Sequence, residues 1–267
     1  MTSAFTLQTT APNLNSTNAI TRYFRVTRVL LHTLVGLVIA STLFPLTGNQ
    51  IKAKLIQWWC AKLLTTFNIR VKVVGNPPTS SSFSSNTMLV ANHISWSDIH
   101  ALNSLVPLRF IAKSEIKNWP IFGYLVSKAN TLFIDRSRRQ DAKRTIDTAY
   151  ASLQNGDNLC FFPEGTTTDG TEMKPFKSSL IQAAILAKSS IWPVAIHYPN
   201  TDGSINTKVA YAGETTLVES MRNMLLQQSP VVVLHFLTPI SPSDYATMDR
   251  RSLTLHIESL IRKQLRL

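Results

Sequence analysis

The stretch Met88-Leu89-Val90-Ala91-Asn92-His93-Ile94-Ser95-Trp96-Ser97-Asp98 decides how the chain is read. Four apolar residues make a short buried strand, and the polar cluster behind them stands where a strand turns into a helix. Junctions of this kind build α/β sheets, whose strand ends are where such folds place their sites. The pattern continues outward. Strand-like runs at Val71–Val74, Arg109–Ala112, Thr131–Ile134, Asn158–Phe162, Trp192–His197 and Val231–Leu237 alternate with helix-like stretches such as Asp141–Gln154, Ser178–Lys188 and Arg251–Leu265. That alternation predicts an α/β fold, a mixed and largely parallel central sheet flanked by helices. Pro77-Pro78 and the serines of Ser80–Ser85 mark a loop before Met88.

Composition narrows the classes. With 44% hydrophobic and 16% charged residues over 267 positions, the chain can bury one large core and a small appendage, which excludes a disordered or fibrous protein. Lysine and arginine exceed aspartate and glutamate by 27 − 15 = 12, so polyanions attract it: nucleic acid, anionic lipid headgroups or phosphorylated metabolites. Cys60 and Cys160 have no CxxC or Cys/His spacing around them, which argues against a disulfide framework or a zinc site.

Val29–Leu46 is a run of 18 residues without a full charge, at the lower limit of what crosses a hydrocarbon core, so it spans a bilayer or lies in one leaflet. A buried helix of a soluble protein is the plainer reading. Arg22, Arg25 and Arg28 precede the run as in a signal peptide, but no A-x-A cleavage site follows it. Lys52, Lys54 and Lys62 lie beyond it, so charge bias sets no orientation. Ile51–Phe67 carries apolar residues at helical spacing, with Trp58 and Trp59 beside lysines, which suits a headgroup boundary or a helix packed on the domain. The expected organisation is a flexible terminus over residues 1–18, a membrane-associating helical pair over 19–68 and a catalytic domain over 69–267.

Three clusters carry chemistry. His93 can take a proton near neutral pH, and Asp98 meets it only if His93 sits in the turn and Asp98 in the first helical turn. The plainer alternative is that Asp98 compensates the helix dipole and His93 satisfies a loop. Ser95 is expected to cap the helix, and it stands where a binuclear metal signature built on His93, Asp98 and His100 would need another histidine, so no metal is expected. The second cluster, Phe161-Phe162-Pro163-Glu164-Gly165-Thr166-Thr167, also closes an apolar strand; its carboxylate can bind hydroxyls or anchor a loop. The third, Phe133-Ile134-Asp135-Arg136, puts a guanidinium at a strand end, where it could fork onto a phosphate or pair with Asp135 or Glu164. Lys174 and Lys177 stand just before a helix, where cations can assist anion binding. Cys160 reads as an inert core thiol, Trp96 as a packing wall, and His32 as facing Thr33 or a neighbouring helix, with no identifiable ligand partner.

The order of these motifs, NHxxxxD, FIDR, FPEGT and then Trp192-Pro193-Val194, resembles the glycerolipid acyltransferase family, which includes 1-acyl-glycerol-3-phosphate acyltransferases and other lysolipid acyltransferases. The resemblance covers about residues 70–240 plus the N-terminal helical pair. It implies that His93 is the general base for the acceptor hydroxyl, that Asp98 orients and charges it, that Arg136 contacts acceptor phosphate, that Phe162, Pro163, Glu164 and Gly165 shape the acceptor pocket together with Thr166, Thr167 and Lys177, and that Pro193 lies on the acyl-donor side. The implied donor is acyl-CoA or acyl carrier protein, with no further cofactor, and the implied acceptor is 1-acyl-sn-glycerol-3-phosphate at the cytoplasmic face of the inner membrane. Three positions depart from the family pattern. Thr167 stands where the phosphate-binding form has arginine, Ala129 and Asn130 where a glycine often precedes FIDR, and Phe176-Lys177-Ser178-Ser179 where a basic residue is followed by glycine. FPEGT followed by small polar residues is similar to lyso-ornithine-lipid acyltransferases and some lysophospholipid acyltransferases, so another lysolipid acceptor is the alternative. A hydrolase using the same His and Asp, and a basic membrane or nucleic-acid module, are the rivals; no aromatic-basic RNA-binding pattern or helix-turn-helix supports nucleic acid as a partner.

Overall fold

A computed structural model describes residues 17–78, 86–134 and 139–267. The serine-rich loop Ser80–Ser85 and the segment holding Asp135, Arg136 and Arg138 lie outside the described residues. Seven strands form one sheet in the order β1-β7-β6-β2-β5-β3-β4, with β1 at Arg70–Val74, β2 at Thr87–Ala91, β3 at Arg109–Lys113, β4 at Leu132–Ile134, β5 at Leu159–Phe161, β6 at Ser190–His197 and β7 at Val231–Phe236. Every pairing is parallel except β6 with β7. The mixed, largely parallel sheet read from the alternation is therefore the observed one. Strand β2 is buried along its whole length, as expected for a central strand covered on both faces.

One face of the sheet carries α2 (Asn49–Thr66) and α3 (Ser97–Leu105), packed on each other. Leu89, Leu102, Ile196, Leu234 and Phe67 meet in that core with almost no exposure. The opposite face is closed by α5 (Arg139–Gln154), α6 (Ile181–Ala187) and α8 (Arg250–Leu265) over Met88, Val90, Leu159 and Ile191. Each such aliphatic side chain contributes roughly 1.5–3 kcal/mol by leaving water.

Helix α1 (Ala19–Val38) starts well before the uncharged run and continues as a π turn, Ile39–Leu43, and a 3-10 turn, Phe44–Leu46. The early start has a local cause. Asn18 Oδ1 accepts from the Thr21 amide at 2.8 Å, an N-cap, while Thr17 is buried and its hydroxyl donates to the Leu225 carbonyl. These two residues are thus anchored, not part of a frayed terminus. Arg25 turns inward and donates to the carbonyls of Leu225, Gln227 and Gln228, the latter two at 2.6 and 2.7 Å, which ties α1 to the end of α7 (Leu217–Leu226).

His32 faces the neighbouring helix α2, one of the two placements read from the sequence: it stacks on Trp59 at 4.9 Å, and its Nε2 lies 2.9 Å from the Trp59 carbonyl. Gly36 makes this approach possible: a Cβ there would sit 2.5 Å from Trp59 Nε1. The other face of α1 exposes Ile20, Phe24, Leu30, Leu31 and Leu34. The helical stretch Ala19–Leu46 holds an 18-residue window of mean hydropathy 2.1, long and apolar enough to cross a membrane by length and composition.

Helix α3 holds onto α2 through His100, whose Nδ1 is 3.5 Å from Cys60 Sγ and whose ring meets Trp59 and Trp96 edge-on. Burial pushes His100 down to about 4 and His32 adds to the shift, while burial pushes Cys60 up to about 12. A histidine held neutral in the fold but free to protonate when unfolded near 6.5 stabilises fully above that pH. The stability is then lost as pH falls from about 6.5 towards 4, by up to roughly 3 kcal/mol for this one group. Urea midpoints of the wild type should drop across that window more steeply than those of His100→Leu; parallel curves would refute the assignment.

Candidate active site

The site is assembled at one edge of the sheet, where β2 and β5 run parallel and end together at Ala91 and Phe161. The chain leaves β2 through Asn92, whose side chain bridges to β6 by donating to the Ile196 carbonyl and accepting from the Ile196 amide at 2.7 Å. This clamp starts the following turn at a fixed point. His93 then sits in the turn and Asp98 in the first turn of α3, the one placement that lets residues five apart meet. Nδ1 of His93 donates to Asp98 Oδ2 at 2.8 Å.

Asp98 is fully buried, and its charge is held by donors on both oxygens. Oδ2 also accepts from the amides of Ile94 and Ser95 at 2.7 and 2.9 Å, and Oδ1 accepts from the Tyr198 hydroxyl at 2.5 Å. Tyr198 in turn meets Ser97 Oγ at 2.7 Å. Burial first, then the Asp98 charge, push the Tyr198 phenol well above its ordinary range, so it stays protonated and donates. With Asp98 accepting from Nδ1–H, the lone pair of the neutral imidazole lies on Nε2. The expected Ser95 cap is replaced: its Oγ lies a long 3.5 Å from the Ser97 amide, while its carbonyl accepts from the Asp98 amide at 3.0 Å.

The second cluster closes over the first. The Phe162 ring stacks on His93 with centroids 3.8 Å apart and planes at 8°. Glu164 is buried; its Oε1 accepts from the His93 amide and its Oε2 from the Lys174 amide, each at 2.8 Å. It therefore anchors two loops to each other, and burial raises its pKa despite those two donors. The Thr168 amide donates to the His93 carbonyl at 2.9 Å, and Gly165 adopts φ 75° in the turn, a conformation that suits glycine. The His93 side chain keeps 16% exposure, enough for a reacting group to reach it.

The other sequence candidates are placed differently. Thr167 donates its hydroxyl to the Tyr211 carbonyl, and Thr166 and Lys177 are exposed, the Lys177 amide being bound to the Pro163 carbonyl at 3.0 Å. Pro193 is buried within β6 opposite Val90, inside the sheet and not at the edge that carries His93. Arg136 lies outside the described residues. Cys160 is buried within β5 with its thiol pushed up by burial, an inert core group. Sequence reasoning missed Tyr198 and Asn92. Tyr198 follows the β6 run directly, and a polar-tipped aromatic at the end of a central strand was the available signal.

The chain is similar to known acyltransferases. The family model described as Acyltransferase matches residues 69–197. The lyso-ornithine lipid O-acyltransferase of Pseudomonas aeruginosa is 34% identical over 214 residues, 80% of this chain and 79% of that protein. The 1-acyl-sn-glycerol-3-phosphate acyltransferase of Neisseria gonorrhoeae is 38% identical over 139 residues, 52% of this chain and 54% of that one. The crystal structure of the 1-acyl-sn-glycerophosphate acyltransferase PlsC from Thermotoga maritima has the same fold, with a TM-score of 0.62 at 22% identity over 91% of this chain and 96% of that one.

Proposed function

Because the chain belongs to the glycerolipid acyltransferase family, we propose that it transfers a fatty acyl group from acyl-CoA or acyl carrier protein to the hydroxyl of a lyso-ornithine lipid, with His93 as base. The observation that carries the chemistry is the His93–Asp98 contact of 2.8 Å at the strand edge. Nε2 removes the acceptor hydroxyl proton as the oxygen bonds to the thioester carbonyl carbon. The imidazolium is stabilised by Asp98, the tetrahedral adduct expels the thiolate, and the proton passes from Nε2 to that sulfur. A thioester is already activated, so positioning, a base and stabilisation of the developing oxyanion suffice without a covalent enzyme intermediate.

Thr167 supports the acceptor. Its hydroxyl is committed to Tyr211, so the position that carries arginine in phosphate-binding relatives offers no cation here. The relative matched over four fifths of its length acts, by its name, on lyso-ornithine lipid. The second reading, 1-acyl-sn-glycerol-3-phosphate, has in its favour Arg136 in the FIDR motif and the gonococcal relative.

Location follows from α1. Its inner face is docked on α2 and α7 for most of its length, so a spanning orientation would drag the domain into hydrocarbon, whereas lying in one leaflet buries only the exposed apolar face. The net charge of +12 adds attraction to anionic headgroups. Incubating the purified protein with labelled acyl-CoA or acyl carrier protein and a panel of lysolipids tests the reading. Fully acylated ornithine lipid is the expected main product; preference for 1-acyl-sn-glycerol-3-phosphate overturns the acceptor, and free fatty acid alone overturns acyl transfer.

A further inference from the structure

We propose that the segment Ser114–Lys128 is a second lipid-contacting surface, an apolar lip that rests on an anionic bilayer beside His93; the inference builds on the membrane-bound reading given above. The segment joins β3 to β4 as a 3-10 turn, Ser114–Asn118, followed by α4, Phe122–Lys128. Because β3 is parallel to β5 and β5 to β2, it leaves the sheet at the same edge as His93 and Glu164. The crossovers β2-α3-β3 and β3-α4-β4 run in the same direction along the sheet order. With the right-handed crossover rule, α4 therefore lies on the α3 side, the side against which α2 is packed.

Three features of the lip suit a bilayer better than water. Ile121 is 50% and Tyr124 40% exposed, and Gly123 is the one buried residue of α4. Exposed Lys113, Lys117 and Lys128 surround them, with Glu115 the one acidic residue between positions 113 and 128, the arrangement that headgroup phosphates attract. The Lys128 ammonium lies 5.5 Å from the centroid of the Tyr124 ring, so the ring sits beneath a cation as at a membrane boundary.

The third feature is strain. Ile121 has φ 64° and ψ −58°, a conformation that costs a β-branched residue dearly. The turn behind it is closed tightly: a Cβ on Gly123 would lie 2.1 Å from the Lys117 carbonyl oxygen. A fold that strains an isoleucine to hold it outward gains nothing from water, whereas a hydrocarbon surface recovers the buried area. A bilayer is also where the acceptor lipid resides, so a lip at the reacting edge, with α1 on the same side of the sheet, would hold the site flush against its source.

The test uses the full chain with a polarity-sensitive fluorophore on Tyr124→Cys, the native Cys60 and Cys160 being buried. A second label at Leu34→Cys reports α1, and a third at Leu255→Cys, exposed on α8, reports a face expected to stay wet. Phosphatidylcholine–phosphatidylglycerol vesicles should shift the Tyr124→Cys probe to the blue and shield it several-fold from iodide, with a weaker response to phosphatidylcholine alone and none at Leu255→Cys. A blue shift at Leu34→Cys with none at Tyr124→Cys overturns the lip and leaves the membrane reading standing. No shift at either position overturns both. A shift of the Tyr124→Cys probe on adding acyl carrier protein, and not on adding vesicles, also overturns it, by making the lip a protein-docking surface.

Discussion

Replacing His93 by alanine is expected to lower acyl-transfer turnover by about 10²- to 10⁴-fold while the protein stays folded. The loss follows from chemistry: without Nε2 the lipid hydroxyl must attack the thioester before its proton has anywhere to go. The preserved fold follows from the bonding of Asp98. Its carboxylate keeps three donors when the imidazole is removed, the amides of Ile94 and Ser95 and the Tyr198 hydroxyl, so no buried charge is stranded. The His93 ring leaves a partly exposed space against Phe162 that water can fill. Steady-state turnover with thioester and lysolipid, beside a thermal melt, checks both halves. A purified, folded His93→Ala protein with near-normal turnover would remove the base assignment.

Asp98 should separate into two phenotypes. In Asp98→Ala the Ile94 and Ser95 amides lose their acceptor in a buried site, at about 1–3 kcal/mol each, while the Tyr198 hydroxyl can turn to Ser97 Oγ. That is a large part of a typical stability of about 5–15 kcal/mol, and at about 2–4 °C per kcal/mol it lowers the melting temperature by on the order of 10 °C or more. Asp98→Asn should keep the shape. Its amide oxygen can take the Oδ2 site and accept from Ile94, Ser95 and His93, while its NH₂ donates to the Tyr198 oxygen and the phenol hydrogen turns to Ser97 Oγ, 2.7 Å away. What the asparagine lacks is charge, so the imidazolium formed during transfer loses its partner, and turnover should fall by about 10²-fold or more with little change in melting temperature. Equal melting temperatures for the two variants would refute the bonding scheme, and an active Asp98→Asn would refute the electrostatic role.

Much of this is legible in the amino-acid sequence. The alternation from Val71 to Leu265 marks the strands and the helices α5, α6 and α8 of one layer, because apolar periodicity reports burial directly, whereas α4 and α7 are not read from it. The pairing of His93 with Asp98 was stated as a condition on a turn and a first helical turn, and the observed turn meets it. Boundaries were less well defined. The predicted strand Asn158–Phe162 shortens to Leu159–Phe161, and α1 begins at Ala19 because its arginines, which break an apolar run on paper, find carbonyl partners or solvent on one helix. The segment Ser114–Lys128 carries no element in the sequence reading; Ile121 and Tyr124 are exposed and its other large apolar residues only half-buried, so core burial does not order them.

Composition, periodicity and motif order by themselves determined the α/β class, the basic surface, the apolar N-terminal helix and the residues able to move a proton, since each is a property of side chains within a few positions of one another. Only the tertiary structure decided that Tyr198 completes the Asp98 site, that Thr167 is spent on Tyr211, that Glu164 ties loops together, and which face of α1 stays exposed. The reason is register: β2 and β6 align Ala91 with Val194, which carries Tyr198 to the end of β2 across a hundred residues of chain, and no local pattern encodes a pairing at that distance.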